Sequence, residues 1–267
     1  MISSLSFHAA LDRTWPPAEF HVVGPWVLRK GNGGGKRVSA ATANFMATVD
    51  DIPLAVHTMQ KLGQQPLFMI QSKDSMLDSA LDKQNYKIVD PVNVYIKRVS
   101  ELTEVPIPHV TAFTIWEPLA IMVEIWAKGG IGSERLQVMH RAAVKTGILA
   151  RWNQKPAGSA FVAIHNKIAM VHAVEVLPEQ RRQGVAGWIM RRAAVWSKEN
   201  CAEKMVVLCT QKNIAANTFY QGLGFRKLCS YHYRQSLENK PGISHLGNAP
   251  APIMDFVGHN LHVDRPF

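Results

Sequence analysis

Residues 168–190, IAMVHAVEVLPEQRRQGVAGWIM, constrain this chain more than any other stretch. An apolar, strand-like segment passes through a basic turn into a helix expected over 184–198, where Val185, Ile189, Ala193 and Trp196 form one apolar stripe. The first turn of a helix leaves backbone N–H groups without partners and carries the positive end of the dipole. Arg181 and Arg182 oppose that dipole unless an anion joins them, and phosphate is the natural occupant. Gly184 has no Cβ, so such a group can approach the backbone N–H groups around Gln183, Gly184, Val185 and Ala186. The alternative is a solvated basic turn, which leaves the dipole conflict standing.

The remainder alternates strands and helices. EFHVVGPWVLRK (19–30) reads as a strand, and GNGGGKR as a turn into a second strand, VSAATA. DDIPLAVHTMQKLG reads as a helix with an acidic start and Gly63 at its end. PLFMIQ is a short strand, DSMLDSALDKQ a helix, YKIVDPVNVYIKRV one or two strands, and TEVPIPHVTA (103–112) a linker. Helical periodicity follows in WEPLAIMVEIWAKGG and SERLQVMHRAAV, then strands at TGILARWN, GSAFVAIH and IAMVHAVEVL. Past the basic turn and its helix come a strand, KMVVLCT, a helix, NIAANTFYQGL, and a last strand, FRKLCSYHYRQ. The tail after Glu238 is rich in Pro, Gly and His, and its irregularly spaced histidines are expected at the surface rather than on a metal. PLFMIQSKDSMLDSALDKQNYKIVD and MVVLCTQKNIAANTFYQGLGFRKLC share one order of elements, matching Tyr86 to Phe225 and Leu81 to Tyr220. Two related halves are expected, with chance similarity of α/β units as the alternative.

Composition narrows the function classes. With 267 residues, 47% hydrophobic and 19% charged, the chain is ordinary globular material. No apolar run approaches the roughly 20 residues of a membrane span, and the first residues, without a basic residue before Arg13, make a poor signal peptide. Cys201, Cys209 and Cys229 are odd in number and form no CxxC pair, which argues against a disulfide framework or a zinc site and for a cytoplasmic setting. The net charge of +10 is spread along the chain without a nucleic-acid motif, so an anionic cofactor or substrate is the expected use of the field, with no nucleic acid and no membrane as partner.

VEVLPEQRRQGVAGWIM resembles the acyl-CoA-binding motif of the GNAT acetyltransferase superfamily, [RQ]-x-x-G-x-[GA], with Arg181, Gly184 and Ala186 at its defined positions. NIAANTFYQGLGF is similar to the second GNAT signature, N-x-x-A-x-x-[FL]-Y-x-x-x-G-F, filled by Asn213, Ala216, Phe219, Tyr220, Gly224 and Phe225. The resemblance is firm over 113–235 and loose before it. It implies an α/β fold with a mixed central sheet flanked by helices, in two GNAT-like halves. The expected organisation is a degenerate N-terminal domain over 1–104, a catalytic domain over 105–238 and a tail over 239–267. It also implies acetyl-CoA as co-substrate, no metal, and transfer of an acetyl group to a primary amine of a small molecule or peptide by direct attack in a ternary complex. The alternative is a non-catalytic acyl-CoA-binding or regulatory module of the same fold.

In this family the pantetheine arm lies between two parallel strands that splay apart, here implying the backbone of Val174 to Val176 opposite KMVVLCT, with Asn213 helping to fix the arm or capping its helix. Tyr220 stands at the family's general-acid position, and a phenol with a pKa near 10 stays protonated at neutral pH. Packing alone is its other reading. Glu175, a carboxylate in an apolar strand, is expected to face the cleft where the strands part, with its pKa raised by desolvation, as the base. A water relay is the alternative, and His172, on the opposite face by alternation, is the reserve. WEPLAIMVEIWAKGGIGSERL would set acceptor choice, with Glu124, Glu134, Trp116 and Trp126 as candidates to meet a cation, although helical spacing suits the tryptophans to a core. The first half is expected to bind no coenzyme, because Asp50 and Asp51 occupy the helix start where the second half has Arg181 and Arg182, and Leu81 replaces the phenol. One molecule per chain is expected, with the first half packed on the second and walling its acceptor cleft.

Overall fold

The structure, a computed structural model, describes residues 4–44 and 46–236. The tail and its histidines lie outside the described residues. Seven helices, α1 (Ser4–Thr14), α2 (Ile52–Lys61), α3 (Ser75–Lys83), α4 (Ala120–Lys128), α5 (Ser133–Arg141), α6 (Val185–Glu199) and α7 (Ile214–Gly222), flank the strands of two sheets within the described residues. The smaller sheet has β1 (Glu19–Val23), β2 (Trp26–Lys30) and β3 (Thr42–Ala43). The larger has β4 (Leu67–Gln71), β5 (Tyr86–Arg98), β6 (Ala112–Ile115), β7 (Val144–Trp152), β8 (Lys155–His165), β9 (Ile168–Val176), β10 (Lys204–Thr210) and β11 (Arg226–Ser236), in the order β4-β11-β5-β10-β9-β8-β7-β6.

The two halves repeat one pattern and exchange strands. Three antiparallel strands, a helix, a strand, a helix and a strand occur as β1-β2-β3-α2-β4-α3-β5 and again as β7-β8-β9-α6-β10-α7-β11. β5 lies between β10 and β11, and β11 between β4 and β5, so each half's last strand enters the other half's sheet. Interchanging the halves leaves the order β4-β11-β5-β10 unchanged. In the second half β9 and β10 run parallel over four residue pairs, from Lys204↔Ile168 to Val207↔Val171. The first-half counterpart is one parallel bridge, Ala41↔Phe68.

Two local expectations change, and one helix appears where no element was expected. Residues 19–30 form a hairpin rather than one strand, because Gly24 takes φ +55 and turns the chain. After the glycine loop the chain makes a single 3-10 turn at Lys36–Val38, and of the expected second strand only Thr42–Ala43 joins the small sheet, with Ala41 bridged to Phe68. Ser4–Thr14 is helical and supplies core through Phe7, Ala10 and Leu11. Arg29, 3% exposed, clamps that helix with two 2.8 Å bonds to the Asp12 carboxylate and donates further to Ala40 O and Thr42 Oγ1. Buried charge is tolerated only when so fully paired.

Both faces of the large sheet are covered. Val185, Ile189 and Met190 of α6 and Tyr220 of α7 pack on one side against Val162, Val171 and Val207. On the other, α1 covers Met170 and Val206, and Met122, Ile125 and Trp126 of α4 with Val138 of α5 cover Phe161 and Ala163. Among the described residues no helix is long and apolar enough to cross a membrane.

Candidate functional site

The site forms where the central strands part. Pairing of β9 with β10 ends at Val171↔Val207, while Leu208 to Thr210 continue on their other side against β5. The β10-facing edge of Val174 to Val176 is therefore free of a ladder, and these residues keep only the β8 pairs Glu175↔Ser159 and Val176↔Gly158. Past the end of β9 the chain enters α6. Gly184 is its N-cap at φ +79, a left-handed conformation that side chains disfavour, and no side chain caps the turn. At the start of α7, by contrast, Asn213 Oδ1 accepts from Ala216 N at 3.0 Å; in the first half Asp51 accepts 2.8 Å bonds from Thr48 N and Oγ1 in the 3-10 turn that leads into α2, which itself has no side-chain cap. The uncapped turn opens on a cavity of about 630 Å³ bounded by Gln183, Gly184 and Trp188, by Phe219 of α7 and by Leu223 just past its end.

The expected anion-binding residues divide by role. Arg182, Gln183 and Gly184 are exposed at the turn and Ala186 is half-buried behind them. Arg181 is exposed too, but its Nε donates to Val176 O at 3.1 Å, tying the turn to the end of β9. The Val185 side chain is buried in the core, which leaves its backbone N–H as the group it can offer.

Tyr220 and Glu175 approach the gap from opposite sides. Tyr220 is buried among Tyr95, Phe219 and Phe225, at ring-centroid separations of 6.2, 5.3 and 5.8 Å. Burial raises its phenol pKa well above the ordinary value, and the nearby ionisable groups of Cys209 and Glu175 push the same way. Glu175 is half-buried, and burial raises its pKa against the opposing charges of Arg181 and Arg135. Its carboxylate lies against Gly129, where a Cβ would stand 2.7 Å from Oε2, so glycine at the end of α4 makes room for it.

His172 is not where alternation places it. Between the pairs Ser159↔Glu175 and Phe161↔His172, β9 carries one residue more than β8, and Ala173 absorbs the bulge at φ +52. The bulge shifts the two-residue period, so His172 and Glu175 share a face. Trp126, fully buried, holds the bulge by donating from Nε1 to Ala173 O at 2.9 Å. His172 itself is spent. Arg37 Nη1 lies 3.0 Å from its Nδ1, and because a guanidinium only donates, Nδ1 accepts. Nε2–H then donates to Thr14 Oγ1 at 3.1 Å, and that hydroxyl donates to Ala10 O at 2.8 Å. Burial and the Arg37 charge hold the ring well below its ordinary pKa, leaving no free lone pair for a base.

The side of the gap that bears Glu175 is assembled from both halves. Glu124 is exposed on α4, and Glu134, on α5, sits under the glycine loop, where a Cβ on Gly33 would stand 2.9 Å from its Cγ. Trp116 packs on Phe161 and His140 and carries Lys145 at 5.2 Å from its ring. Gly35 passes Arg135 closely enough that a Cβ would meet its Nε at 3.5 Å. Sequence reasoning missed Arg37, Arg135 and Gly129, none of which lies in either signature. It also missed Asn217, whose Oδ1 accepts 2.8 Å bonds from Asn93 Nδ2 and Tyr95 Oη and whose Nδ2 donates to Thr210 O and Asn213 O. An asparagine in mid-helix was the available signal, since that residue competes for backbone partners. No group of three His, Cys, Asp or Glu side chains able to hold a metal occurs among the described residues.

Comparison with known proteins agrees with this geometry. The model of the acetyltransferase (GNAT) family matches residues 116–225. An uncharacterized N-acetyltransferase of Bacillus subtilis (strain 168), YobR, is 23% identical over 244 residues, covering 83% of this chain and 94% of that protein. Among solved structures, a GCN5-related N-acetyltransferase from Kribbella flavida superimposes with a TM-score of 0.68 at 19% identity, covering 92% of this chain and 98% of the other. A tandem GNAT protein from the clavulanic acid biosynthesis pathway gives a TM-score of 0.55 at 11% identity over 74% of each chain. Residues 116–225 therefore belong to the acetyltransferase (GNAT) family, and the chain as a whole has the fold of GNAT proteins in two GNAT-like halves.

Proposed function

We propose that this chain is an acetyl-CoA-dependent N-acetyltransferase acting on a primary amine, with residues 105–238 as the catalytic unit and 1–104 as a scaffold that contributes to the acceptor side. One observation carries the reading: an uncapped helix start opens beside the parting of β9 and β10, with Tyr220 and Glu175 at the gap. The coenzyme supplies an activated acyl thioester. The N–H groups from Gln183 to Ala186, with Arg182 and Gln183 side chains, suit its pyrophosphate, and the unpaired edge of Val174 to Val176 suits its amide-bearing arm. Asn213, which caps α7, flanks that arm.

The proton traffic follows from burial. Glu175 takes a proton from the attacking amine as the new C–N bond forms, and its raised pKa makes it a better base than a solvated carboxylate. Tyr220 donates its phenolic proton to the sulfur as the C–S bond breaks. A buried phenol is a weak acid, but the leaving sulfur shares its surroundings. Burial pushes the Cys209 thiol in this region up to about 11, so a thiolate released there is a stronger base than in water. The proton from Glu175 restores the phenol through solvent, and the balance closes.

A binding module without chemistry would need no phenol at this position, so Tyr220 favours the enzyme. Purified chain is expected to bind one acetyl-CoA by calorimetry and to release free thiol when a suitable amine is added. Two coenzyme molecules per chain would overturn the assignment of the first half as scaffold. Binding without amine-dependent thiol release across a broad panel would favour the non-catalytic module.

A further inference from the structure

The loop GNGGGKR belongs to neither GNAT signature, yet it carries a guanidinium to His172, on the sheet face that His172 shares with Glu175. Arg37 is half-buried, donates from Nη1 to neutral His172, and lies 5.7 Å from the centre of the Trp15 ring. Its Nε is shielded from solvent and has no hydrogen-bond partner among the described residues. Arg135 reaches the same region from α5, with Nη1 donating to Gly130 O at 3.3 Å and its charge felt at Glu175. Neither guanidinium pairs with a carboxylate among the described residues. The two most deeply placed arginines are matched, Arg29 by Asp12 and Arg234 by Asp78 and Asp82, while half-buried Arg141 and Arg192 likewise hold a shielded nitrogen without a partner among the described residues. Two partly sheltered guanidiniums without counter-ions, on the face that presents Glu175, are short of an anion.

We propose that Arg37 and Arg135 hold a carboxylate on the acceptor, so that the preferred acceptor is a primary amine of the amino-acid class rather than a polycation. The inference rests on the reading of the Glu175–Tyr220 gap as the acyl-transfer site and adds the acceptor's second group. Glu175 draws the amino end, and the planar donors of the arginines suit a carboxylate, which can accept two parallel bonds. Gly35 permits this arrangement. At φ +97 it brings the loop within van der Waals reach of Arg135, two residues before Arg37. A polyamine would place added positive charge beside both guanidiniums.

The test uses the full chain with α- and ω-amino acids, each beside its carboxamide and its decarboxylated amine, together with a polyamine. Thiol release is expected to favour the carboxylate member of a set by about 100-fold in kcat/KM. Arg37→Gln and Arg135→Gln should each raise KM for that member by about 10- to 100-fold, with acetyl-CoA affinity and the carboxamide's KM unchanged. Arg37→Lys should recover part of the preference. Calorimetric binding of the same compounds to chain saturated with coenzyme A separates this inference from the catalytic reading. Carboxylate-dependent binding that either variant weakens supports the anion site even if no amine is acetylated. A polyamine or uncharged amine as the best ligand, or equal losses for acid and carboxamide, overturns it.

Discussion

Gly184→Asp separates stability from binding. Gly184 caps α6 at φ +79, where most side chains cost about 1–2 kcal/mol, but Asp is among those that enter the region more readily. There is room for the side chain, since the nearest heavy atom to a Cβ would be Trp188 Nε1 at 3.9 Å. Asp would also accept from the uncapped N–H groups, worth a few tenths of a kcal/mol over Gly, and place a charge at the favourable end of the dipole, worth about 0.3–1 kcal/mol. Gains and strain nearly cancel, so the melting temperature should stay within about 4 °C of the parent. Gly184→Ala keeps the strain without the cap and should melt lower than the Asp variant. Binding behaves differently. The new carboxylate occupies the N–H groups that a pyrophosphate needs and repels it, a like-charge opposition of several kcal/mol. Affinity for acetyl-CoA should therefore fall by more than about 100-fold. Thermal unfolding with and without ligand reads both quantities. At 100 times its dissociation constant acetyl-CoA adds about 2.7 kcal/mol to the parent, and under about 0.5 kcal/mol to the variant at the same concentration. Parent-like affinity in the Asp variant, checked by calorimetry, would refute the phosphate reading.

Tyr220→Phe keeps the ring contacts and should lower kcat by about 10²- to 10⁴-fold at unchanged acetyl-CoA affinity; a parental rate with chemistry limiting would leave Tyr220 as packing only. Burial lowers the His8 pKa from 6.5 to about 4, with Asp12 opposing and Arg29 and Lys73 assisting. Below pH 6.5 the unfolded chain binds this proton and the folded chain does not, so His8 contributes its full share above 6.5 and loses up to about 3 kcal/mol as pH falls towards 4. Urea midpoints at pH 7 and 4.5 should show the drop, and His8→Gln should reduce it; identical pH slopes in both would contradict the assignment. A fragment lacking residues 1–104 should fail to give a soluble domain, because it loses β5 from between β10 and β11, including buried Val94, Tyr95 and Ile96, each worth about 1.5–3 kcal/mol. A monodisperse, cooperatively melting fragment would show that the exchanged strand is dispensable.

Local chemistry was legible in the sequence and long-range pairing was not. The helix expected over 184–198 is Val185–Glu199, because a glycine stop and an apolar stripe are local signals. The 204–210 strand and the α7 segment were readable for the same reason. The exchange of β5 and β11 had no local mark, since which edge an antiparallel strand joins depends on residues more than 120 positions away, as in Arg226↔Ile96. The Ala173 bulge was hidden because alanine gives no hint of a left-handed backbone, and with it the face of His172 was misjudged. Arg37 was invisible for a similar reason: inside a glycine-rich loop it reads as a solvated charge until folding sets it against His172 and Trp15.

The two halves differ at the features that binding an anionic thioester would use. In the second half the parallel pair β9–β10 is long enough to hold together and then part, the following helix start is left uncapped, and a phenol stands at the gap. In the first half the parallel contact shrinks to Ala41↔Phe68, Thr48 and Asp51 close the 3-10 turn that leads into the helix, and Leu81 fills the position of the phenol as fully buried core. The acidic start is held there by the Thr48 backbone N–H, which lowers the Asp51 pKa and keeps the carboxylate charged. Each change replaces a group that a ligand would satisfy with one the protein satisfies itself. The first half is closed where the second is open, and it joins the second half by donating β5 to its sheet and laying the glycine loop on α5. A half that has lost its own gap can thus build one wall of its neighbour's.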